Sequence, residues 1–217
     1  MIAAVFDVDR TLLPGTTAER LFLRYLLARR ELGLREVLRT AWFVFRRAPA
    51  DPRPWRQARR HRPYLSGKEV ALLEDLGQRC FDDVIRPRLA PAGERRVADH
   101  RAAGHLTVLL SGSLPYLLRP MAAALGVDEV IGSVMATRGA RLTGRLDGVH
   151  PYGRDKLRLM EQFAAARAID LPRSYAYADH HTDEHLLAGV GHPVAVNPNQ
   201  RLRLAAEARG WPIESWL

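Results

Sequence analysis

The chain has a single cysteine, Cys80, in 217 residues, and only two lysines, Lys68 and Lys156. One thiol excludes an internal disulfide and a cysteine-based zinc centre. No apolar run approaches the ~20 residues that a membrane-spanning helix needs. A secretory leader is not expected, because Asp7 and Asp9 interrupt the first apolar stretch and no basic segment precedes it. Gly 16 and Pro 14 are ordinary usage, so collagen-like and low-complexity readings fail. What remains is 47% hydrophobic and 26% charged, enough for one good core or a core with a smaller lobe. These features predict a soluble, cytoplasmic, basic α/β protein.

The net charge of +9 is unevenly placed. Between Arg29 and Arg62 there are eleven arginines and three acids (Glu31, Glu36, Asp51), a local charge of +8. The rest of the chain carries only +1. Such a lobe attracts phosphates, anionic lipid or nucleic acid. With arginine almost the sole base, a lysine at a chemically demanding position is informative.

Residues Ile2–Phe6 form a short apolar run ending in Asp7, as in a strand buried on both faces. From Thr17 to about Pro87 the pattern is helical, with Leu21, Tyr25 and Ala28, then Leu34, Val37, Leu38, Ala41 and Phe45, at helical spacing. Pro49, Pro52 and Pro54 predict a turn or link. A helix is expected over Gly67–Asp83, with Ser66 as candidate cap. Strands are expected at Leu106–Leu110, Val130–Met135, Ser174–Ala178 and Val194–Val196, with a hairpin at Ala136–Gly148. Helices are expected at Leu117–Leu125, Asp155–Arg167, from Glu184, and at Gln200–Arg209. Alternating strands and helices imply a Rossmann-like parallel sheet, whose working groups lie at the carboxyl ends of the strands.

Four segments put polar groups at those ends. Asp7 and Asp9 follow the first strand two residues apart, on one side of an extended chain. One can attack phosphorus while the other handles protons. Ser111-Gly112 ends the second strand, offering a hydroxyl and close backbone N–H groups to a phosphate. Lys156 opens a helix, where it can neutralise a phosphate. Asp179 and Asp183 follow a later strand, and carboxylates suit Mg²⁺. Taken alone, each also reads as a turn, a cap or a surface charge.

Together, in this order, they resemble the four motifs of the haloacid dehalogenase-like superfamily. Within it the chain is similar to the phosphoserine-phosphatase-like subclass, whose helical cap is inserted just after the first motif. The run Gly191–Pro198 is also similar to that subclass. The resemblance covers residues 1–12 and about 88–217, and implies an α/β core there with a helical cap at 13–87. It implies a Mg²⁺-dependent phosphatase acting on a phosphorylated small molecule. Asp7 would be the nucleophile and Asp9 the acid and base. Asp7, the Asp9 carbonyl, Asp179 and Asp183 would hold the metal. Ser111, Gly112 and Lys156 would grip the phosphoryl group, supported by Thr11.

Two departures stand out. Ala178 and His180 flank Asp179, and His181 and His185 are four apart, a spacing that can bind zinc on a helix but reads first as solvent-facing histidines beside a magnesium loop. Gly15, Thr16 and Thr17 stand where phosphoserine phosphatases carry a close acidic residue, and Glu19 comes later. That spacing counts against phosphoserine as the substrate. In the cap, Trp42 and Phe45 lie among Arg39, Arg46 and Arg47. Either the aromatics pack inside with the arginines outside, or the segment is a basic amphipathic surface for anionic lipid or an acidic substrate. Nucleic-acid binding by this lobe would leave the four strand-end motifs unexplained.

Overall fold

The computed structural model describes residues 1–47 and 61–217. The turn expected at Pro49–Pro54 lies outside the described residues. A six-stranded parallel sheet forms the centre. Its strands are β1 (Ala3–Phe6), β2 (Leu106–Leu110), β3 (Glu129–Ile131), β6 (Tyr175–Ala178), β7 (His192–Val196) and β8 (Ile213–Glu214), in the order β3-β2-β1-β6-β7-β8. The chain moves outward one way from β1 through β2 and β3, then returns to the other side at β6. The crevice at this reversal is where open α/β sheets bind ligands.

Strand β1 is apolar throughout because both its faces are covered. Ala4 and Phe6 join Leu109 and Tyr177 in one core cluster. Ala3 and Val5 join Val108, Leu110, Ala176 and Ala178 in the other. The first cluster is completed by helices α1 (Ala18–Ala28), α3 (Val70–Cys80) and α5 (Pro115–Leu125). Helices α6 (Arg154–Arg167), α7 (Glu184–Ala188) and α8 (Gln200–Arg209) cover the opposite face. The helical insert after the first strand therefore shares a core with the sheet through Leu21, Phe22, Leu26, Leu73 and Phe81. Among the described residues, no helix is long and apolar enough to cross a membrane.

Several local expectations are corrected. The run 130–135 is not one strand. β3 ends at Ile131, and Ser133 is drawn away by bonds to the Ser113 carbonyl (3.0 Å) and the Gly112 carbonyl (2.7 Å). The antiparallel hairpin β4 (Val134–Arg138) and β5 (Arg141–Asp147) follows. Helix α3 starts at Val70, not Gly67, and Ser66 does not cap it. Residues 67–70 instead pair with the hairpin: the Gly67 and Val70 N–H groups donate to Leu142 and Ala140, and Leu142 N–H donates to Lys68. Helix α4 (Pro91–Ala102) was not anticipated, because its buried face is only Gly93, Val97 and His100. Helix α5 begins two residues early, with Pro115 at its first position, where no N–H is needed.

Helix α2 (Leu34–Arg47) faces the opposite way from the packed-cap reading. Trp42 and Phe45 are 59% and 73% exposed. The aromatics do not pack inside.

Candidate active site

The carboxyl ends of β1, β2 and β6 open into a cleft of about 370 Å³. Asp7 continues β1, its N–H bonded to the Tyr177 carbonyl at 2.9 Å. Its two oxygens accept from Lys156 Nζ (2.6 Å) and the Thr11 hydroxyl (2.9 Å). Lys156 sits in the first turn of α6 and also donates to Asp183 Oδ2 at 2.6 Å. All three groups are buried. Burial opposes the charge on Lys156, but the Asp183 and Asp7 carboxylates outweigh it and hold its pKa above the ordinary value. Burial pushes Asp7 up from the usual carboxylate value, while Lys156 and Thr11 oppose that push.

Asp9 occupies a different setting. Its Oδ1 accepts from the Ala18 N–H at the start of α1 (2.8 Å), and the Ser113 hydroxyl donates to Oδ2 at 3.0 Å. Burial, then the nearby Asp7 charge, raises Asp9 to about 6. The two carboxylates at the end of one strand thus have different partners, Asp7 the Lys156 ammonium and Asp9 a helix N–H and a serine hydroxyl. Arg10, directly after Asp9, has φ +66° and donates to Asp179 Oδ2 at 3.0 Å. Asp179 directly follows β6; burial and Asp7 raise it to about 7 against the pull of Arg10.

Gly112 closes the β2 side, and the N–H of the neighbouring Ser111 donates to the Ile131 carbonyl at 3.0 Å. A side chain at Gly112 would meet the His150 ring at 2.9 Å. Ser111 is fully buried and its oxygen accepts from the Ser113 N–H at 3.1 Å. Asp7, Asp9, Gly112, Lys156, Asp179 and Asp183 line the cleft directly, and Thr11 stands behind Asp7.

The fold adds residues that sequence spacing missed. Ser113 holds Asp9, and the Ser-Gly-Ser run was its signal. His150 lines the cleft and bonds Ser133 at 2.7 Å. Glu19 and Arg62 face each other in the wall. Arg62 Nη2 donates to Glu19 Oε2 at 2.7 Å, and the Tyr64 hydroxyl donates to Oε1 at 2.8 Å. Glu19 is late in sequence but early in space. Thr17 caps α1, so Glu19 falls in the first helical turn over the site. The argument from spacing against an acidic group here does not hold.

The histidines do not form the helical pair that spacing suggested. His181 lies in the 3₁₀ turn His181–Asp183, and its ring bonds Asn199 at 2.9 Å. His185 lies in α7 and bonds Arg154 at 3.2 Å. The donor set of the cleft instead suits a hard cation. Its walls carry five acids (Asp7, Asp9, Glu19, Asp179, Asp183) against three bases (Arg10, Arg62, Lys156), a formal balance of −2. Hard divalent cations favour such oxygens. Lys156 and Arg10 now hold these carboxylates, and among the described residues no three acidic, thiol or imidazole groups already converge on one point. Charge and donor chemistry fit a divalent ion.

Residues 4–188 match the model of the haloacid dehalogenase-like hydrolases. The chain belongs to that family. It is 34% identical, over 97% of its length and 77% of the relative's, to the inhibition of morphological differentiation protein of Streptomyces azureus. It is 31% identical, over 99% of its length and 70% of the relative's, to a phosphoserine phosphatase of Mycobacterium tuberculosis. A solved protein of unknown function from Bordetella pertussis superposes with a TM-score of 0.83 at 28% identity, covering 99% of this chain and 98% of that one. The chain is a phosphatase of the family, with a phosphoserine-phosphatase-like fold.

Proposed function

We propose that this phosphatase hydrolyses a phosphate monoester by covalent catalysis at Asp7, with Asp9 as proton donor and acceptor. The observation that carries the reading is the split between the two carboxylates. Asp7 is bonded to Lys156 and Thr11, whereas Asp9, two residues on, is held near a pKa of about 6. In the first step an Asp7 oxygen bonds to phosphorus as the ester oxygen leaves with the Asp9 proton. In the second, Asp9 takes a proton from water as the water oxygen bonds to phosphorus and the Asp7–phosphorus bond breaks, releasing phosphate and the free Asp7 carboxylate. Lys156 and the Gly112 backbone would offset the phosphoryl charge. Asp7, the Asp9 carbonyl, Asp179 and Asp183 would hold Mg²⁺, which supplies charge neutralisation when bound. Residues 13–87 would act as the cap over this cleft.

The Glu19–Arg62 pair favours a small ester bearing both an ammonium and a carboxylate, and phosphoserine is the first such compound to test. Glu19 would take the ammonium and Arg62 the carboxylate, each exchanging a partner within the protein for one on the substrate. The test measures phosphate release from an aryl phosphate and from phosphoserine, with Mg²⁺ and with EDTA. The reading predicts release that EDTA abolishes. It further predicts that Glu19→Gln raises KM for phosphoserine about tenfold, the loss of one charge-assisted contact, while sparing the aryl ester. Release that is indifferent to EDTA would overturn the metal assignment. Equal effects of Glu19→Gln on both esters would overturn the substrate assignment.

A further inference from the structure

Helix α2 is amphipathic in the wrong sense for a soluble protein. Glu36, Arg39, Thr40 and Phe43 lie on its partly buried side. Leu34, Leu38, Trp42 and Phe45 form the outward stripe and are 73%, 59%, 59% and 73% exposed. At 100° per residue these four fall within one arc of about 80°. Val37, 49% exposed, and Ala41 widen it on one edge. A contiguous apolar face of this kind on a soluble protein marks a contact surface.

Charge decides what covers it. The helix contains one acid, Glu36, and that side chain turns inward, accepting from the Gly33 N–H at 2.9 Å and pairing with Arg39 at 3.4 Å. Burial aside, these backbone N–H groups hold its pKa below the usual value, so it stays ionised and engaged. Arg35 lies beside the stripe, and Arg24, Arg29 and Arg30 are exposed on and just after α1. The whole stretch 29–62 carries +8. Apposing the same face of a second copy would bring two such lobes together. The stretch 48–60 itself has four arginines and one acid, so it offers no complementary charge either. A negatively charged surface that also accepts apolar side chains is an anionic bilayer: Leu, Phe and Trp enter the acyl boundary while arginines meet the headgroups.

We propose that α2 lies in the surface plane of an anionic membrane and docks the enzyme there. Helix α1 runs from Thr17 at the cleft to Ala28 just before α2. This docking does not depend on the identity of the substrate.

Co-sedimentation of the full chain with phosphatidylcholine vesicles, with and without phosphatidylglycerol, tests it. Binding is expected only with the anionic lipid, falling as salt is raised. Arg35→Ala should weaken it about fivefold, and the double variant Leu38→Gln/Phe45→Gln should abolish it. These exposed positions lie outside the cleft, so phosphate release from a soluble aryl ester is the folding control. Three results would overturn the proposal. The first is no binding to phosphatidylglycerol vesicles at low salt. The second is binding that the double variant leaves intact. The third is a concentration-dependent dimer that the double variant dissolves, which would make α2 a self-association surface.

Discussion

Removing the charge of Lys156 tests whether the buried ion network is a structural unit as well as a catalytic one. Its ammonium makes two 2.6 Å contacts, to Asp7 and Asp183, and all three side chains are at most 6% exposed. At an effective dielectric of about 20, unit charges at that separation attract by about 6 kcal/mol per contact. Desolvation offsets most of this in the intact network. In Lys156→Met it no longer does, because two carboxylates are left buried and facing each other. Breaking a buried pair in this way costs about 3–5 kcal/mol. For a domain of this size that lowers Tm by about 6–20 °C. Urea and thermal unfolding at neutral pH without divalent ions provide the assay. Adding Asp183→Asn to Lys156→Met removes one of the stranded charges, so the double variant should regain part of the loss. A single variant as stable as the parent, or a double variant no better than the single, would refute the reasoning.

Other expectations follow from the same geometry. Gly112→Ala places a methyl 2.9 Å from the His150 ring. It should lower kcat on an aryl phosphate by about tenfold to a hundredfold with little change in Tm; unchanged kinetics would remove Gly112 from the site. His100 bonds Tyr177 at 2.7 Å and His105 at 2.8 Å, and burial holds it down at about 4. The unfolded chain therefore binds the extra proton below the ordinary value of 6.5. Stability supplied by neutral His100 is complete above that value and is lost as pH falls towards 4, by up to about 3 kcal/mol. The raised values of Asp9 and Asp179 act in the opposite sense. The measurement is therefore the difference in urea stability between parent and His100→Gln across pH, which should narrow on acidification. Cys80 is fully buried, and burial followed by Asp83 raises its thiol to about 12. A thiol reagent at mildly alkaline pH should leave it untouched in the native protein and modify it in urea.

Which parts were legible in the sequence follows from what local pattern can carry. Strands β1, β2 and β6 were legible because burial on both faces demands unbroken apolar runs, and the β1 and β6 runs are followed by the carboxylates that line the cleft. Asp7, Asp9, Lys156, Asp179 and Asp183 could be placed at one sheet edge for that reason. The break after Ile131 was not legible, because it depends on bonds from Ser133 to residues 112 and 113. Glu19, Arg62 and His150 reach the cleft through tertiary folding, from the first turn of α1, the residue before the 3₁₀ turn Pro63–Leu65 and a post-hairpin segment. For α2, helical spacing revealed the apolar stripe but carried no information about which way it faces.

The covalent role of Asp7 is the centre of the account. It is tested most directly by quenching the enzyme during turnover of an aryl phosphate, reducing with borohydride, and sequencing the N-terminal peptide by mass spectrometry. An acyl-phosphate at Asp7 would be reduced to homoserine, so the account predicts homoserine at position 7 and none in Asp7→Asn. Steady phosphate release with residue 7 unmodified, or with the phosphoryl group on another side chain, would contradict it.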